Sequence, residues 1–176
     1  MSLRVAALGL LAQHPGSGYD LLRRFENSMA NVWPATQSQL YGELNKLAAA
    51  GLIEVTDVGP RGRKEYAVTE AGRAELLRWV TNPRDDPPPR SASLLRVFLL
   101  GEIPRDQARA YLLSVAAHAD SELARLSALR DGLAPWGDTD AEFYGGAALD
   151  YGLRAASMEG DWARAQVTAL DERGTA

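Results

Sequence analysis

A mainly α-helical chain with one small β-hairpin is what the 176 residues predict. Three observations carry that expectation. Residues 1–82 hold three short apolar helical stripes and then two β-branched runs around a glycine-rich tip, while residues 82–93 hold four prolines and no apolar run. Beyond them, two long apolar stripes advance in steps of three and four residues, the mark of helices packed on helices.

The first helix is expected over 2–13, where it is stopped by the turn residues His14-Pro15-Gly16-Ser17-Gly18. A second runs from about Gly18 to Met29, with Leu22, Phe25 and Met29 spaced i, i+3, i+7. Residues 31–36 break the chain. Thr36 and Gln39 have capping-box spacing for a third helix, whose stripe of Leu40, Leu44 and Leu47 ends near Gly51. Residues 52–58 and 64–69 then alternate loosely around Gly-Pro-Arg-Gly-Arg and read as two strands of a hairpin. Thr69 can cap a fourth helix through about Val80, with Leu76, Leu77 and Val80 facing inward.

After the prolines, residues 93–100 form a short apolar segment and a long helix begins after Pro104, with Leu112, Val115, Ala119, Glu122, Leu126, Leu129 and Leu133 in one stripe. Residues 134–140 interrupt it. The last helix is expected over Asp140–Glu172, where Tyr144, Ala148, Tyr151, Ala155, Met158, Trp162, Ala165 and Ala169 alternate steps of four and three. Such a stripe is made to pack on another helix, and its small members permit close approach. The predicted organisation is therefore a winged helix-turn-helix domain over 1–82, a proline-rich linker over 83–93 and an α-helical dimerisation domain over 94–176, with Tyr144, Tyr151, Met158 and Trp162 anchoring the dimer.

Three short helices followed by a hairpin suit one task well: a helix fits the major groove of duplex DNA, and a basic hairpin tip lies on an adjacent phosphate strand or enters the minor groove. Opposite the leucine stripe of the third helix stand Ser38, Gly42, Asn45 and Ala49, flanked by Tyr41 on one side and by Gln39 and Lys46 on the other. Asn and Gln read base edges, while Tyr41, Lys46 and the helix N-terminus, with Thr36 and Gln37, hold phosphates. Arg61, Arg63 and Lys64 at the hairpin tip taken alone read as a solvated turn. Their place behind a capped helix turns that reading into phosphate contact.

The composition agrees once the chain is divided. Net charge is −4 overall but +1 over 1–82 and −5 over 83–176, and residues 58–64 hold three cations and no carboxylate. There are no cysteines, which excludes disulfides and thiolate metal sites and fits the cytoplasm. The first apolar stretch is only about ten residues, too short to span a membrane. His14 and His118 stand alone, so neither a metal site nor a catalytic dyad is expected, and no enzyme activity or cofactor is implied.

Residues 18–55 and 59–80 resemble the N-terminal domain of the PadR family of bacterial transcriptional regulators. The resemblance rests on Gly18-Tyr19-Asp20-Leu21, on Ser38-x-x-Tyr41-x-x-Leu44-x-x-Leu47 and on Lys64-x-Tyr66-x-Val68-Thr69-x-x-Gly72. Residues 151–166 are similar to the closing dimerisation helix of members with a virulence-activator-like C-terminal domain. Gly42 departs from the pattern, since many relatives have proline there. The resemblance implies a homodimeric repressor or activator that grips or releases an inverted-repeat operator in response to a small, often aromatic ligand. Interdomain crevices favour apolar pockets, which places a candidate effector site near Trp33, Phe98, Tyr111 or Tyr151. The competing reading is a winged-helix module that docks on another protein without binding DNA; such a hairpin would need apolar anchors, and this one offers glycine, proline and cations.

Overall fold

The computed structural model describes residues 2–29, 33–82, 90–132 and 139–173. The chain divides into two compact units, residues 1–88 and 89–176. In the first, α1 (Ser2–Gln13), β1 (Gly16–Ser17), α2 (Gly18–Asn27) and α3 (Gln37–Ala49) lead into a hairpin of β2 (Ile53–Val58) and β3 (Lys64–Val68), closed by α4 (Glu70–Thr81).

The expected helices and hairpin form where their local signals lie. Thr36 accepts from the Gln39 amide while the Gln39 side chain accepts from the Thr36 amide, a complete capping box at the start of α3. Its far end closes just as locally: Gly51 turns left-handed at φ 68°, its amide donating to the Ala48 carbonyl and that of Leu52 to Leu47. Leu40, Leu44 and Leu47 are buried against Ala7, Leu8 and Leu11 of α1, Leu21 and Phe25 of α2, and Ile53, Tyr66 and Val68 of the hairpin. Each such side chain contributes about 1.5–3 kcal/mol through burial.

Two features depart from the expectation. The sheet has three strands in the order β1-β3-β2, all antiparallel, because Gly16 and Ser17 pair with Tyr66 and Glu65. On α4, Leu77 and Val80 are exposed at 65% and 62%, so only Leu76 of the three residues expected inside is even half-buried. The reason lies at Gly72. An added Cβ there would stand 2.1 Å from the Leu52 carbonyl oxygen, so the helix meets the hairpin through Gly72, sets Leu76 beside Gly9 of α1 and turns Leu77 and Val80 away.

The second unit holds α5 (Ala92–Leu99), α6 (Arg105–Gly132) and α7 (Asp140–Glu172). Of the expected linker, residues 83–89 lie outside the described residues, and Ser91 already caps α5 through the Leu94 amide. α6 and α7 form an antiparallel pair: Arg109 meets Asp171 near one end and Asp120 meets Arg164 further along. Between them Ala108, Leu112, Ala116, Ala119 and Leu126 are buried against Ala156, Gly160, Ala163 and Val167. That second stripe of small residues on α7 is not the aromatic one, which faces elsewhere. Leu133 lies outside the described residues.

The Gly72 contact yields a stability prediction. Gly72→Ala forces backbone against side chain at the α4–hairpin junction and should cost about 2 kcal/mol or more. Thermal unfolding followed by circular dichroism checks this, and a melting temperature equal to wild type would remove the junction as a constraint.

Candidate nucleic-acid interface

α3 presents two faces with opposite fates. Leu40, Leu44 and Leu47 are at most 1% exposed, which leaves Ser38, Asn45 and Ala49 outward. A Cβ added to Gly42, on the same outer face, would meet no protein atom within 4 Å. The outer face of the helix is thus open along its length.

The polar residues around it are engaged to different degrees. Gln39 Oε1 accepts from the Thr36 amide at 2.8 Å, so capping occupies the oxygen of this side chain. Lys46 Nζ donates to Glu43 Oε1 at 2.6 Å, but with the lysine side chain 70% exposed such a pair contributes little and exchanges readily for another anion. Gln37 and Thr36 stand exposed at the helix start, where free backbone amides and the helix dipole favour an anion.

Tyr41 is positioned by a glycine. A Cβ on Gly18 would lie 2.6 Å from the Tyr41 ring, so only glycine lets the ring rest against the first turn of α2. The ring then forms one wall of an open groove of about 450 Å³, shared with Ser17, Gly18 and Tyr19 of the β1–α2 corner and with Pro60, Gly62, Arg63, Lys64 and Tyr66 of the hairpin. Tyr66 forms its floor, and burial first, then the neighbouring Tyr41, raises the phenol above its ordinary pKa. Tyr19, 58% exposed in this groove, is a residue the sequence reasoning passed over although Gly18-Tyr19 was in view.

The hairpin tip is a turn of 3-10 helix over Pro60–Gly62 with Gly62 at φ 77°. The three cations of this tip fare differently. The side chain of Arg61 lies outside the described residues. Lys64 is exposed, with no ion-pair partner among the described residues. Arg63 is paired within the protein although its side chain stays 54% exposed: Nη2 donates to Asp20 Oδ2 at 2.8 Å, and Nε lies 3.3 Å from Glu65 Oε1. It is not the free cation that the sequence suggested.

In the second unit, Tyr144, Tyr151 and Met158 are exposed at 67%, 76% and 63%, and Trp162 is half-buried. Met158 and Trp162 line a shallow apolar hollow with Arg154, Ser157, Asp161 and Ala165. The four aromatics expected near an effector divide between the units: Trp33 belongs to the first, while Phe98, Tyr111 and Tyr151 belong to the second. Phe98 is 89% exposed, and the half-buried Tyr111 hydroxyl stands 3.5 Å from Ser93 Oγ. Among the described residues no cluster of His, Asp and Glu could hold a metal ion, and no helix is long and apolar enough to cross a membrane.

Comparisons with known proteins meet this geometry on both units. The family model described as the transcriptional regulator PadR-like family matches residues 7–78, and that described as virulence activator alpha C-term matches residues 89–171. A protein of Mycobacterium tuberculosis (strain ATCC 25618 / H37Rv), named a "probable transcriptional regulator", is 32% identical across 98% of this chain and 100% of its own. The negative transcriptional regulator PadR of Bacillus subtilis is 33% identical over 60% of each chain. Crystal structures of Bacillus subtilis PadR with operator DNA and with p-coumaric acid superpose with TM-scores of 0.77 and 0.81, at 26% identity over 97% of this chain and 99% of that one. The Vibrio cholerae virulence activator AphA shares the fold, with a TM-score of 0.82 at 21% identity over 97% and 99% of the two chains. Matched in both units and aligned from end to end with a regulator, the chain belongs to the PadR-like family of DNA-binding transcriptional regulators built on a winged helix.

Proposed function

We propose that the chain acts as a homodimeric, ligand-responsive repressor, with α3 in the major groove and the β2–β3 tip on a neighbouring phosphate strand of an inverted-repeat operator. One observation carries the DNA half of this reading: the uncovered face of Ser38, Gly42 and Asn45 adjoins a groove where Tyr19, Tyr41 and Lys64 converge. Asn45 then reads a base edge, with Ser38 beside it, and Thr36, Gln37, Tyr41, Lys46 and Lys64 hold phosphates. Gln39 contributes through its amide nitrogen, its oxygen being held by the cap. Arg61 belongs to the same tip by sequence. A protein-docking module is disfavoured because the tip carries glycine, proline and cations where a docking hairpin needs apolar anchors.

Repression and ligand response are carried over from the relatives: PadR of Bacillus subtilis is named a negative regulator and has been crystallised with both operator DNA and p-coumaric acid. An aromatic effector of this chain would meet exposed Phe98, half-buried Tyr111 and exposed Tyr151 of the second unit. For the dimer, support comes from α7, whose Tyr144, Tyr151 and Met158 stand in water while a different stripe serves the α6 contact. A second copy is the occupant whose apolar stripe matches.

The DNA reading is tested by titrating the protein on duplexes selected from a random pool. Selected sites should contain two inverted half-sites about one helical turn apart. Lys64→Ala should weaken all duplexes alike and lower the salt slope by about 1, whereas Asn45→Ala should cost about 1–3 kcal/mol on the preferred site and less on random DNA. Affinity flat in salt would leave the docking module standing.

Gly42→Ala separates stability from binding. The added methyl meets no protein atom and should stabilise α3 by about 0.5–1 kcal/mol, yet it should loosen the operator because the groove approaches there. A melting curve and a DNA titration on the same variant decide it, and unchanged affinity would remove the close approach.

Trp162→Ala tests the dimer. Truncating an interface tryptophan typically costs about 2 kcal/mol or more, so sedimentation at micromolar concentration should show a shift toward monomer, with operator affinity falling in parallel. A variant that stays folded and wholly dimeric would move the interface off this stripe.

A further inference from the structure

Arg63 is held by two carboxylates at once. Nη2 donates to Asp20 Oδ2 at 2.8 Å and Nε approaches Glu65 Oε1 at 3.3 Å. Asp20 is itself fixed: the Ser17 hydroxyl donates to the same Oδ2 at 2.6 Å, the Ser17 amide reaches it at 3.1 Å, and the Asp20 amide donates back to Ser17 Oγ at 3.2 Å. Ser17 is 1% exposed and pairs with Glu65 across the β1–β3 ladder. The cap of α2, Asp20, Arg63, Glu65 and β3 thus form a closed circuit.

A lone surface ion pair contributes little because two long side chains must be immobilised to make it. Here that cost falls mainly on the arginine, since the α2 cap already immobilises the Asp20 carboxylate. The planar guanidinium forks to both acids, which a lysine ammonium cannot do with the same geometry. The Ser17 hydroxyl first, then the Ser17 amide and Arg63, hold the Asp20 carboxyl below its ordinary pKa. A depressed carboxylate contributes above its unfolded value and loses that contribution only as pH falls below it, so the pair persists through neutral pH.

We infer that Arg63 is a positioning residue that ties the hairpin tip to the first turn of α2 through Asp20, leaving the adjacent Lys64 to meet the phosphate backbone. This rests on the reading of α3 and the hairpin as the DNA face, and it sharpens that reading by separating two neighbouring cations into different tasks. Without the tie the tip beyond the β1–β3 pairing at Glu65 hangs on the β2–β3 ladder alone, whose register already slips between Val55 and Asp57.

The test uses the full chain with Asp20→Asn, Arg63→Lys and Lys64→Ala. Asparagine keeps an oxygen for the α2 cap, and circular dichroism confirms the fold. In the free protein, Asp20→Asn and Arg63→Lys should each speed amide exchange over residues 58–64 about fivefold, the expected worth of a pair within a network, while Lys64→Ala leaves exchange unchanged. On the selected operator the first two should weaken binding by a similar factor with the wild-type salt slope, and Lys64→Ala should lower the slope by about one. Loss of a carboxylate beside DNA ordinarily tightens binding, so weakening by Asp20→Asn is diagnostic. Tighter binding by Asp20→Asn together with no effect of Arg63→Lys would make Arg63 a phosphate ligand and overturn the inference. Exchange unchanged in both variants would overturn it regardless of DNA. A wild-type protein that binds no duplex would instead sink the DNA reading, with the exchange data still deciding the tie.

Discussion

The geometry of the first unit depends on how the chain leaves α3. At Gly51 the backbone turns left-handed, which only glycine adopts freely, and the next carbonyl, that of Leu52, accepts from the Thr69 amide at 3.1 Å. Thr69 Oγ1 donates in turn to the Gly51 carbonyl at 2.7 Å while capping α4 through the Gly72 amide. Gly72 leaves no room for a side chain above Leu52. Three elements, α3, the hairpin and α4, are therefore locked where Gly51 and Leu52 meet Thr69 and Gly72, and the direction of the tip relative to α3 follows from local chemistry.

That lock fixes the root of the hairpin, not its tip. β2 is exposed along nearly its whole length and carries an irregularity midway, so β3 needs support from its other edge. β1 supplies it with only two residues, and the Asp20–Arg63 pair extends the support one step beyond the ladder. The same corner places Gly18 under the Tyr41 ring. The β1–α2 corner thereby sets the spacing between the tip and α3, which is the distance a duplex would have to match.

Much of this was legible in the sequence, for a physical reason: caps and turns act over three or four residues. The Thr36–Gln39 box, the Thr69 cap, the Gly51 stop and the leucine stripe of α3 are all local signals. Strand β1 is not local, since Gly16 finds its partner Tyr66 far along the chain and two residues carry no periodicity. The Ser17–Asp20 spacing was nevertheless a readable cap. On α4 and α7 the difficulty is of another kind. Each helix carries two apolar stripes, and sequence alone does not say which one meets its own unit: a carbonyl over Gly72 decides it for α4, and small residues that let α6 approach decide it for α7. The pairing of Arg63 was not legible, because composition registers a cation without showing the two carboxylates beside it.

An acidic chain addressing a polyanion is no contradiction once charge is followed pair by pair. At physiological salt an exposed charge is felt over about 8 Å, so the net charge of −4 matters less than what lies within that distance of the duplex. In the first unit Asp20 and Glu65 share Arg63, so two of the carboxylates beside the tip have an internal partner. Lys64 and the open amides at the start of α3 are the groups there with no anionic partner among the described residues. The balance also limits indiscriminate attraction, because few cations remain to release counterions from arbitrary DNA. On the proposed reading, a larger share of operator affinity would come from base contacts and from the fixed spacing of α3 and tip, which would make a rigid β1–α2 corner more valuable here than in a strongly basic protein.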